Sequence, residues 1–369
     1  MKILYDHQSF SGAKYGGVAR YFYDLMHNLK HQQGVDVALA LKFSNNDYLK
    51  NGDIKNVTPF SFFVGYAKTN MLFSQINRFN SVIQLATQDF DVFHPTYFKD
   101  YFLPFLGKKP FVITHHDLIP EKFPEKYAAL DGFSKVQKQK ILDKAAKIIA
   151  VSENTKQDIL EVFRIAPEKV EVIYHSTHFS AFIPNPSVEI NVPKRYLLYV
   201  GNRDNYKNFG VFVRAIAPAL LKQPDLHLLC AGNGRFTATE QNLFVKLKIS
   251  NQVVHHAIEN DDVLYLLYKN ALVFVYPSLY EGFGIPILEA FACDCPVALS
   301  NRSCFPEVAQ DAALYFNPED EGSIAFQIEN IIENSDLRTD LINKGKQRLK
   351  DFSPEITAKK TFEVYKSVI

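Results

Sequence analysis

Two glutamates flank a glycine-rich turn in the C-terminal half of the sequence, and their setting favours binding of an anion. Glu281 and Glu289 are separated by seven residues, which include Gly282 and Gly284. The apolar run 271–276 precedes them and predicts a strand that is buried on both faces. A helix is predicted to follow the glycines. Free N–H groups of such a loop and of the first helical turn attract negative charge beyond the strand end.

Each glutamate also has a simpler interpretation. Glu289 would complement the helix dipole if it lies in about the first turn, and Glu281 could be a solvated loop residue. Pro286 is predicted to be the first helical residue, with the helix continuing over 287–293. The intervening sequence, Gly-Phe-Gly-Ile-Pro-Ile-Leu, is too apolar and too rich in glycine for an exposed loop. We therefore favour a functional site.

The stretch from Glu281 to Glu289 resembles the signature of the retaining, nucleotide-sugar-dependent glycosyltransferases of the GT-B type, which contain two Rossmann-like domains. The resemblance implies that Glu281 contacts the donor sugar or its phosphate. It also implies that Glu289 holds the ribose hydroxyls through its two acceptor oxygens. In the predicted site the donor diphosphate meets the amides of Gly282, Phe283, Gly284 and Ile285.

Length and composition indicate a two-domain globular protein without a nucleic-acid partner. The chain has 369 residues, 47% of them hydrophobic and 22% charged, and its net charge is +1. The four cysteines are expected to be buried free thiols. No signal peptide is recognised after Met1, and no apolar run approaches the roughly 20 residues that span a bilayer. We expect a cytoplasmic protein, at most peripheral to the inner face of a membrane.

A second phosphate-binding element is predicted near the N-terminus. Residues 2–5 form the first predicted strand, Gly16 and Gly17 follow, and an amphipathic helix covers 21–29. A strand, a glycine pair and a helix form a phosphate cradle, although a glycine pair alone also suits a tight turn. The sequence here lacks the G-x-G-x-x-G pattern of dinucleotide-binding proteins. The family resemblance implies that Gly16 and Gly17 approach the donor phosphates and sugar.

A histidine at the end of a buried strand is a further candidate. The run 110–120 predicts a strand with polar residues at its carboxyl end, where ligands bind in open α/β sheets. His116 and Asp117 match the His-Asp pair that the family carries at this point, so the resemblance places His116 in the active site. The neighbouring His115 is expected to point to the other side of the strand.

No metal site is predicted, and the acceptor site is hard to read. Asp89 and Asp91 have the D-x-D spacing of metal-dependent sugar transferases of another fold, but they precede a short apolar strand and are interpreted as a turn and strand entry. Segments 60–66 and 71–85 mix aromatic and basic residues and are expected to form helices at the mouth of the acceptor site. Segment 121–140 either gates the acceptor cleft or forms a solvated amphipathic helix.

Both halves of the chain alternate strands with helices, which is typical of doubly wound α/β domains. We predict an α/β GT-B fold with two Rossmann-like domains that face each other across a cleft. Residues 1–182 form the acceptor-binding domain and 194–353 the nucleotide-sugar-binding domain, with a proline-rich linker at 183–193. The resemblance implies that the final helix, within 354–369, crosses back over the N-terminal domain.

Basic side chains are predicted to stabilise the leaving diphosphate, since the sequence shows no convincing metal cluster. Arg203 and Lys207 follow the first strand of the second domain, as an Arg/Lys pair does in the family; the alternative is two solvated surface bases. The catalytic set is therefore His116, Arg203, Lys207 and Glu281. The resemblance implies retention of the anomeric configuration, which favours front-face attack steered by the leaving phosphate. A sugar-nucleotide 2-epimerase and a non-catalytic nucleotide-sugar-binding protein are the alternatives.

Three segments, 15–21, 116–124 and 200–203, look most like the mannosyltransferases that build bacterial surface polysaccharides. This likeness implies transfer of a hexose, mannose, to a glycan or lipid-linked glycan. GDP-mannose is the expected donor, ahead of a UDP-sugar, and no cofactor beyond the donor is expected.

Overall fold

Two compact units make up the chain, Met1–His175 with Pro354–Ile369 and Ser176–Ser353. The computed structural model describes residues 1–12, 14–50, 54, 57–58, 66–127, 132–203, 205–232 and 234–369. Residues 60–65 of the predicted acceptor-site segment 60–66 and residues 128–131 of the predicted gate lie outside this range. The division falls at His175 rather than at 182, so the predicted linker 183–193 is part of the second unit.

The first unit is built on parallel strands whose winding reverses once. The strands are β1 (Lys2–Tyr5), β2 (Asp36–Leu39), β3 (Val92–His94), β4 (Val112–His115), β5 (Lys147–Ala150) and β6 (Val170–Val172). Their orders are β2-β1-β3 and β4-β5-β6, and a bridge between Phe93 and Phe111 joins the two sets. The reversal lies between β1 and β3, so their carboxyl ends form a topological switch point, where ligands bind in open α/β sheets.

Helices cover both faces of these strands. They are α1 (Gly17–Lys30), α2 (Asp47–Lys50), α3 (Tyr66–Thr87), α4 (Ile119–Lys122), α5 (Pro124–Tyr127), α6 (Lys135–Lys144) and α7 (Glu153–Phe163). Shorter 3₁₀ turns span Gln8–Phe10, Asp100–Phe105 and Pro167–Lys169. Because side chains alternate across a strand, Leu4 and Ile113 join one core with α6 and α7, whereas Ile3 and Val112 join another with α1.

The segment 121–140 is neither one helix nor fully solvated. It is divided among α4, α5 and α6. Lys138 Nζ lies 2.6 Å from Glu121 Oε1, and the two side chains are 1% and 3% exposed. Lys138 also lies 5.4 Å from the ring centroid of Phe98. A buried charge pair of this kind is a structural element of the first unit, because removing one partner leaves the other charged and desolvated.

The second unit contains a six-stranded parallel sheet of the order β12-β11-β10-β7-β8-β9. Its strands are β7 (Arg195–Val200), β8 (Leu226–Ala231), β9 (Val253–His256), β10 (Val273–Tyr276), β11 (Val297–Ser300) and β12 (Leu314–Phe316). Here the winding reverses between β7 and β10, which are neighbours in the sheet. The carboxyl ends of these two strands therefore form the switch point of the second unit.

Seven helices of the second unit surround this sheet among the residues described. They are α8 (Phe209–Lys222), α9 (Ala238–Leu247), α10 (Asp261–Lys269), α11 (Ile285–Ala292), α12 (Phe305–Ala309), α13 (Glu321–Glu333) and α14 (Ser335–Leu349). The 3₁₀ turns are His178–Ala181, Asn205–Lys207, Ser250–Gln252 and Gln310–Ala312. With both sheets parallel and helix-covered, the predicted α/β class is confirmed.

The last helix, α15 (Pro354–Lys366), belongs to the first unit. Its Ala358, Val364 and Tyr365 enter the same core as α1. The Tyr365 hydroxyl is 2.8 Å from the Tyr5 hydroxyl and 2.6 Å from His94 Nδ1. A buried hydrogen-bond network therefore fixes the C-terminal helix to β1 and β3.

Candidate active site

A buried ion pair marks the switch point of the second unit. Lys207, in the loop after β7, places Nζ 2.6 Å from Oε1 of Glu281, which follows β10. The two side chains are 13% and 11% exposed, and Lys207 Nζ also donates to the Tyr276 hydroxyl at 3.4 Å. Burial opposes the charged form of Lys207, but the Glu281 carboxylate outweighs it and raises the pKa of Lys207 well above its usual range. The site therefore holds a permanent cation beside a carboxylate.

Backbone contacts hold the two loops in register. The Leu279 amide donates to the Tyr206 carbonyl at 2.8 Å, which links the loop after β10 to the loop after β7. The Glu281 amide donates to Ser303 Oγ at 3.1 Å. The thiol of Cys304, a buried free cysteine, donates to the carbonyl of Glu281 at 3.3 Å. The position of the Glu281 carboxylate is therefore set by its own main chain as well as by Lys207.

Gly284 determines where α11 begins. Its φ is +92°, in the left-handed region, and a Cβ there would lie 3.0 Å from Phe305 and 3.1 Å from Ile287. Helix α11 starts at Ile285, one residue before the predicted start, and Pro286 is its second residue. Proline is tolerated there because the first turn of a helix has no intrahelical acceptor for its N–H groups.

The residues of the glycine loop differ in what they can offer a ligand. The Phe283 side chain is 3% exposed, and its ring centroid lies 5.8 Å from that of Phe352. Phe283 therefore anchors the loop through its side chain and can meet a donor only through its backbone. Gly282 and Gly284 have no side chain, so they too can contact a donor only through their backbone. Ile285 is the first residue of the helix.

Glu289 lies in the second turn of α11 rather than in the first, because it is the fifth residue of the helix. The influence of the helix dipole is confined to the first turn, so the dipole does not account for this carboxylate. The buried hydroxyl of Tyr268 donates to Glu289 Oε2 at 3.0 Å. Burial and the Glu289 carboxylate together raise the pKa of Tyr268 well above its usual range, so the phenol remains a donor. Glu289 is thereby oriented from one side.

Arg203 is not joined to the Lys207–Glu281 pair. Its Nε donates to Glu240 Oε1 at 2.6 Å, and its terminal nitrogens donate to the carbonyls of Gly232, Gly234 and Arg235. The side chain is 3% exposed. Arg203 and Lys207 are predicted to contact the diphosphate as a pair, whereas in the structure Arg203 pairs with Glu240 and Lys207 with Glu281.

Several residues of the site were not found by sequence reasoning. Glu240 was missed, although Thr237 and Glu240 have the S/T-x-x-E spacing of a capping box, and the structure contains that box at the start of α9. Tyr276 was counted only as part of an apolar strand. Ser303 carries no local signal, because it comes close to Glu281 only through the pairing of β10 with β11.

The glycine pair of the first unit lies at an open helix N-terminus. Helix α1 begins at Gly17, four residues before the predicted start, and its N-cap Gly16 makes no side-chain cap. A Cβ at Gly16 or Gly17 would meet nothing within 4 Å. The first turn contains no acidic residue. An anion can therefore approach the backbone amides of this turn without a steric or electrostatic barrier.

His116 is a neutral imidazole in a stack of rings. Its Nδ1 lies 3.4 Å from Nε2 of His175, with the ring centroids 5.4 Å apart and the rings 7° from parallel. The ring of Tyr21 packs edge-on against both histidines. Burial lowers the pKa of His116 to about 4, so the ring is uncharged at neutral pH. His115 is fully buried and packs on Phe98, on the other side as predicted.

The predicted strand-entry role of the two aspartates near β3 agrees with their contacts. Lys2 Nζ is 2.6 Å from Asp89 Oδ2, and the Lys2 amide donates to Asp91 Oδ2 at 2.7 Å. Within the described ranges no group of three or more His, Cys, Asp or Glu side chains could hold a metal ion. No helix in the same ranges combines the length and the apolarity that crossing a bilayer requires.

Two family models match the chain over most of its length. The model "Glycosyltransferase Family 4" matches residues 15–178, and "Glycosyl transferases group 1" matches 185–348. An O-antigen chain mannosyltransferase of Salmonella typhimurium is 33% identical over 221 residues, 59% of this chain and 60% of that protein. O-antigen chain mannosyltransferase B of Escherichia coli is 29% identical over 267 residues, 69% and 70% of the two chains. The match to the Salmonella protein thus spans less than two thirds of its length.

Solved structures share the fold at low sequence identity. Sucrose-phosphate synthase of Thermosynechococcus elongatus superimposes with a TM-score of 0.77 at 20% identity, over 100% of this chain and 99% of that one. Anabaena HepE in complex with UDP and glucose gives 0.74 at 17% identity, over 99% of both chains. Likeness at this identity concerns the fold alone.

Proposed function

The chain belongs to the glycosyltransferases of the GT-B fold, with a family 4 domain ahead of a group 1 domain, and we propose that it transfers mannose from GDP-mannose. The acceptor in this proposal is a glycan or lipid-linked glycan in surface polysaccharide synthesis. The names of the Salmonella and Escherichia relatives support mannose and a polysaccharide product. The Anabaena neighbour was solved with UDP and glucose, so a UDP-sugar is the competing donor.

The Lys207–Glu281 pair is the observation that carries this proposal. It lies at the switch point of a six-stranded parallel sheet, where nucleotides bind in doubly wound folds. Departure of a nucleoside diphosphate places negative charge on the leaving phosphate, and a desolvated ammonium group stabilises that charge more strongly than a solvated one. Glu281 holds the ammonium in place and contacts the donor sugar, while Glu289 receives the ribose hydroxyls.

The remaining predicted residues have supporting roles in this proposal. The open N-terminus of α1 supports the proposed role of Gly16 and Gly17 in binding the donor phosphates. The neutral ring of His116 hydrogen-bonds to a sugar hydroxyl, which an uncharged imidazole does as donor or acceptor. Arg203 makes four hydrogen bonds with its five N–H groups. Its phosphate contact therefore uses the remaining N–H or requires partial release from Glu240.

Transfer is proposed to retain the anomeric configuration and to need no metal. The proposal of retention through front-face attack is supported by the likeness to retaining glycosyltransferases. Lys207 and the helix N-termini take the place of a cation at the diphosphate. Transfer assayed with EDTA is therefore expected to match transfer without it. A rate that EDTA abolishes and Mn²⁺ restores would contradict this part of the proposal.

Slow donor turnover without acceptor tests the function. We expect incubation with GDP-mannose to release GDP and mannose, because water attacks the anomeric carbon and displaces GDP when no acceptor is present. A 2-epimerase would instead yield the epimeric sugar, and a non-catalytic binding protein would yield no product. Parallel incubation with UDP-glucose compares the two donors. Release only from the UDP-sugar would overturn the mannosyl assignment and leave the transferase assignment in place.

Helix α3 supports a peripheral contact with an anionic membrane surface. Its exposed side chains include Met71 at 70%, Leu72 at 60%, Phe79 at 67% and Ile83 at 48%. Leu72, Phe79 and Ile83 are spaced for one face of a helix. The range Tyr66–Thr87 contains no Asp or Glu. An apolar stripe on a helix without acidic residues is suited to an anionic bilayer surface.

Vesicle sedimentation tests the membrane contact. The double variant Leu72→Ser/Phe79→Ser is expected to lose most of the binding to vesicles that contain phosphatidylglycerol. Val136→Ser is the control, because Val136 is 79% exposed on another helix of the same unit. Equal sedimentation of both variants and the wild type would exclude α3 as the contact.

A further inference from the structure

A cavity of about 230 Å³ lies in the first unit and is not used by the proposed donor site. Its lining includes His7, Gln75, Arg78, Lys99, Tyr101 and Gln137. His7 follows the end of β1, and Lys99 and Tyr101 follow the end of β3. The cavity is thus at the switch point of the first sheet, the position at which open α/β sheets bind ligands.

The carboxylates of this region are already occupied by protein groups. The buried Asp6 accepts hydrogen bonds from Gln8 Nε2 at 2.7 Å, from Thr96 Oγ1 at 2.8 Å and from the Tyr101 hydroxyl at 2.9 Å. Asp100, which lines the cavity, pairs with Lys140 at 2.6 Å. Lys140 neutralises Asp100, whereas Asp6 receives neutral donors and keeps a negative charge that forms no ion pair with the cations of the cavity wall.

The two cations of the lining form no ion pair with the residues that the structure describes. No described carboxylate lies within ion-pair distance of Arg78 or Lys99, and the guanidinium of Arg78 lies 5.6 Å from the ring centroid of Tyr101. Both charges act on His7. Two converging cations on the wall of a concave site favour an anionic ligand, and arginine matches phosphate oxygens in pairs.

The hydrogen bonds around His7 define which of its ring nitrogens carries the proton and which is free to accept a hydrogen bond. Ser81 donates its proton to the Ala40 carbonyl at 2.8 Å, and Tyr101 donates its proton to Asp6. Both hydroxyls can therefore only accept from His7 Nδ1, which lies 3.0 Å from Ser81 Oγ and 3.2 Å from the Tyr101 oxygen. Burial lowers the pKa of His7; Asp6 opposes this, and Lys99 and Arg78 add to it. The neutral ring carries its proton on Nδ1, so Nε2 is an acceptor for a hydroxyl.

We propose that this cavity binds a phosphate ester of the acceptor, with the phosphate oxygens on Arg78 and Lys99 and a neighbouring hydroxyl on His7. The volume equals roughly seven or eight waters, and it is below the about 300 Å³ at which sites for whole drug-sized ligands begin. The cavity therefore holds one phosphorylated terminal unit rather than a long glycan. The role as an acceptor site rests on the proposed function. It makes the acceptor a phosphate-bearing molecule rather than a neutral one.

Calorimetric titration with α-glucose 1-phosphate tests the proposal, with methyl α-glucoside as the neutral counterpart. The protein is the full chain carrying Lys207→Ala, which removes the cation of the proposed donor site. We expect the phosphate ester to bind and the neutral glucoside to bind at least tenfold more weakly. Adding Arg78→Gln/Lys99→Gln to this protein is expected to weaken binding of the phosphate ester at least tenfold.

A matched control removes two other charges from the same unit. Lys126 and Lys359 are exposed and do not line the cavity, so Lys126→Gln/Lys359→Gln should bind the ester like its parent. Lys99→Gln alone repeats the test if the double variant does not fold. Equal binding of the ester and the neutral glucoside, or full binding after loss of Arg78 and Lys99, would overturn the proposal.

Vesicles identify the source of the phosphate. Phosphatidylcholine vesicles with and without phosphatidic acid are compared for the wild type and Lys99→Gln. Loss of the phosphatidic acid dependence in Lys99→Gln supports a lipid phosphate in the cavity, whereas an unchanged dependence with weakened ester binding supports a soluble sugar phosphate. Failure of the wild type to bind GDP would count against the proposed function, and the glucose 1-phosphate result would stand independently of it.

Discussion

At the scale of single residues, the two basic side chains after β7 are in different situations. Lys207 is 13% exposed and has one carboxylate partner, Glu281, at 2.6 Å. Arg203 is engaged with Glu240 and three carbonyls. We therefore expect catalysis to depend more directly on Lys207 than on Arg203. Glu281 has two functions in this account, because it orients Lys207 and contacts the donor sugar.

Lys207→Ala and Glu281→Gln are each expected to lose most of the transferase activity. Removing one preorganised charge contact at a leaving group costs roughly 3 kcal/mol, or about a hundredfold in rate. The measurement is the rate of GDP release from GDP-mannose. Lys269→Ala is the control, because Lys269 forms an ion pair of the same length, 2.6 Å, with Asp294 in the same unit but is 41% exposed. A near wild-type rate in either site variant would contradict the assignment of Lys207 and Glu281 to the catalytic site.

At the scale of elements, the loop from β10 to α11 depends on one glycine. Gly284 combines a left-handed φ of +92° with contacts of 3.0 Å and 3.1 Å at its missing Cβ. Gly234 in the same unit also has a left-handed φ, +67°, but a Cβ there would meet nothing within 4 Å. Comparing alanine variants at the two positions therefore separates the cost of the left-handed backbone from the cost of crowding at the added Cβ.

Gly284→Ala is expected to destabilise the protein more than Gly234→Ala. The left-handed conformation alone costs an alanine roughly 1–2 kcal/mol, and crowding against Phe305 and Ile287 adds to that cost at position 284 only. Thermal denaturation of both variants measures the difference. Equal losses of stability would show that the loop can move away from Phe305 and that α11 is not fixed by this contact.

The sequence was sufficient for the elements that have strong local signals. The apolar strand run 271–276 and the glycine loop that follows it both appear in the structure. The switch points could not be predicted, because strand order depends on which strands pair and not on their composition. The cavity beside β1 and β3 was missed for the same reason: His7, Arg78 and Lys99 are far apart in sequence. The Arg203–Glu240 pair is likewise a tertiary contact.

At the scale of the whole molecule, buried histidines make the first unit sensitive to acid. Burial lowers the pKa of His94 to about 3 and that of His116 to about 4. It also lowers the pKa of His115 and His175 well below the usual range. The unfolded chain therefore binds more protons than the folded one below about pH 6.5. Stability is full above that pH and falls as the pH decreases toward the folded-state values.

Lowering the pH from 7 to 5 is therefore expected to destabilise the first unit. His94 and His116 each contribute about 2 kcal/mol to the loss at pH 5. Near-ultraviolet circular dichroism during thermal denaturation at pH 8, 7 and 5 measures the effect. The histidines contribute little to the difference between the denaturation curves at pH 8 and pH 7, because they are mostly neutral in the folded and the unfolded chain at both pH values. A midpoint that is unchanged at pH 5 would mean that the histidines are not buried as described.

Calorimetric titration of GDP and UDP into the wild-type protein tests whether the switch point of the second unit binds the nucleoside diphosphate of a sugar donor. We expect GDP to bind, and to bind more tightly than UDP. Tenfold tighter binding of UDP, about 1.4 kcal/mol, would contradict the mannosyl donor while leaving a glycosyltransferase. Binding of neither nucleotide would contradict the assignment of the Lys207–Glu281 site itself.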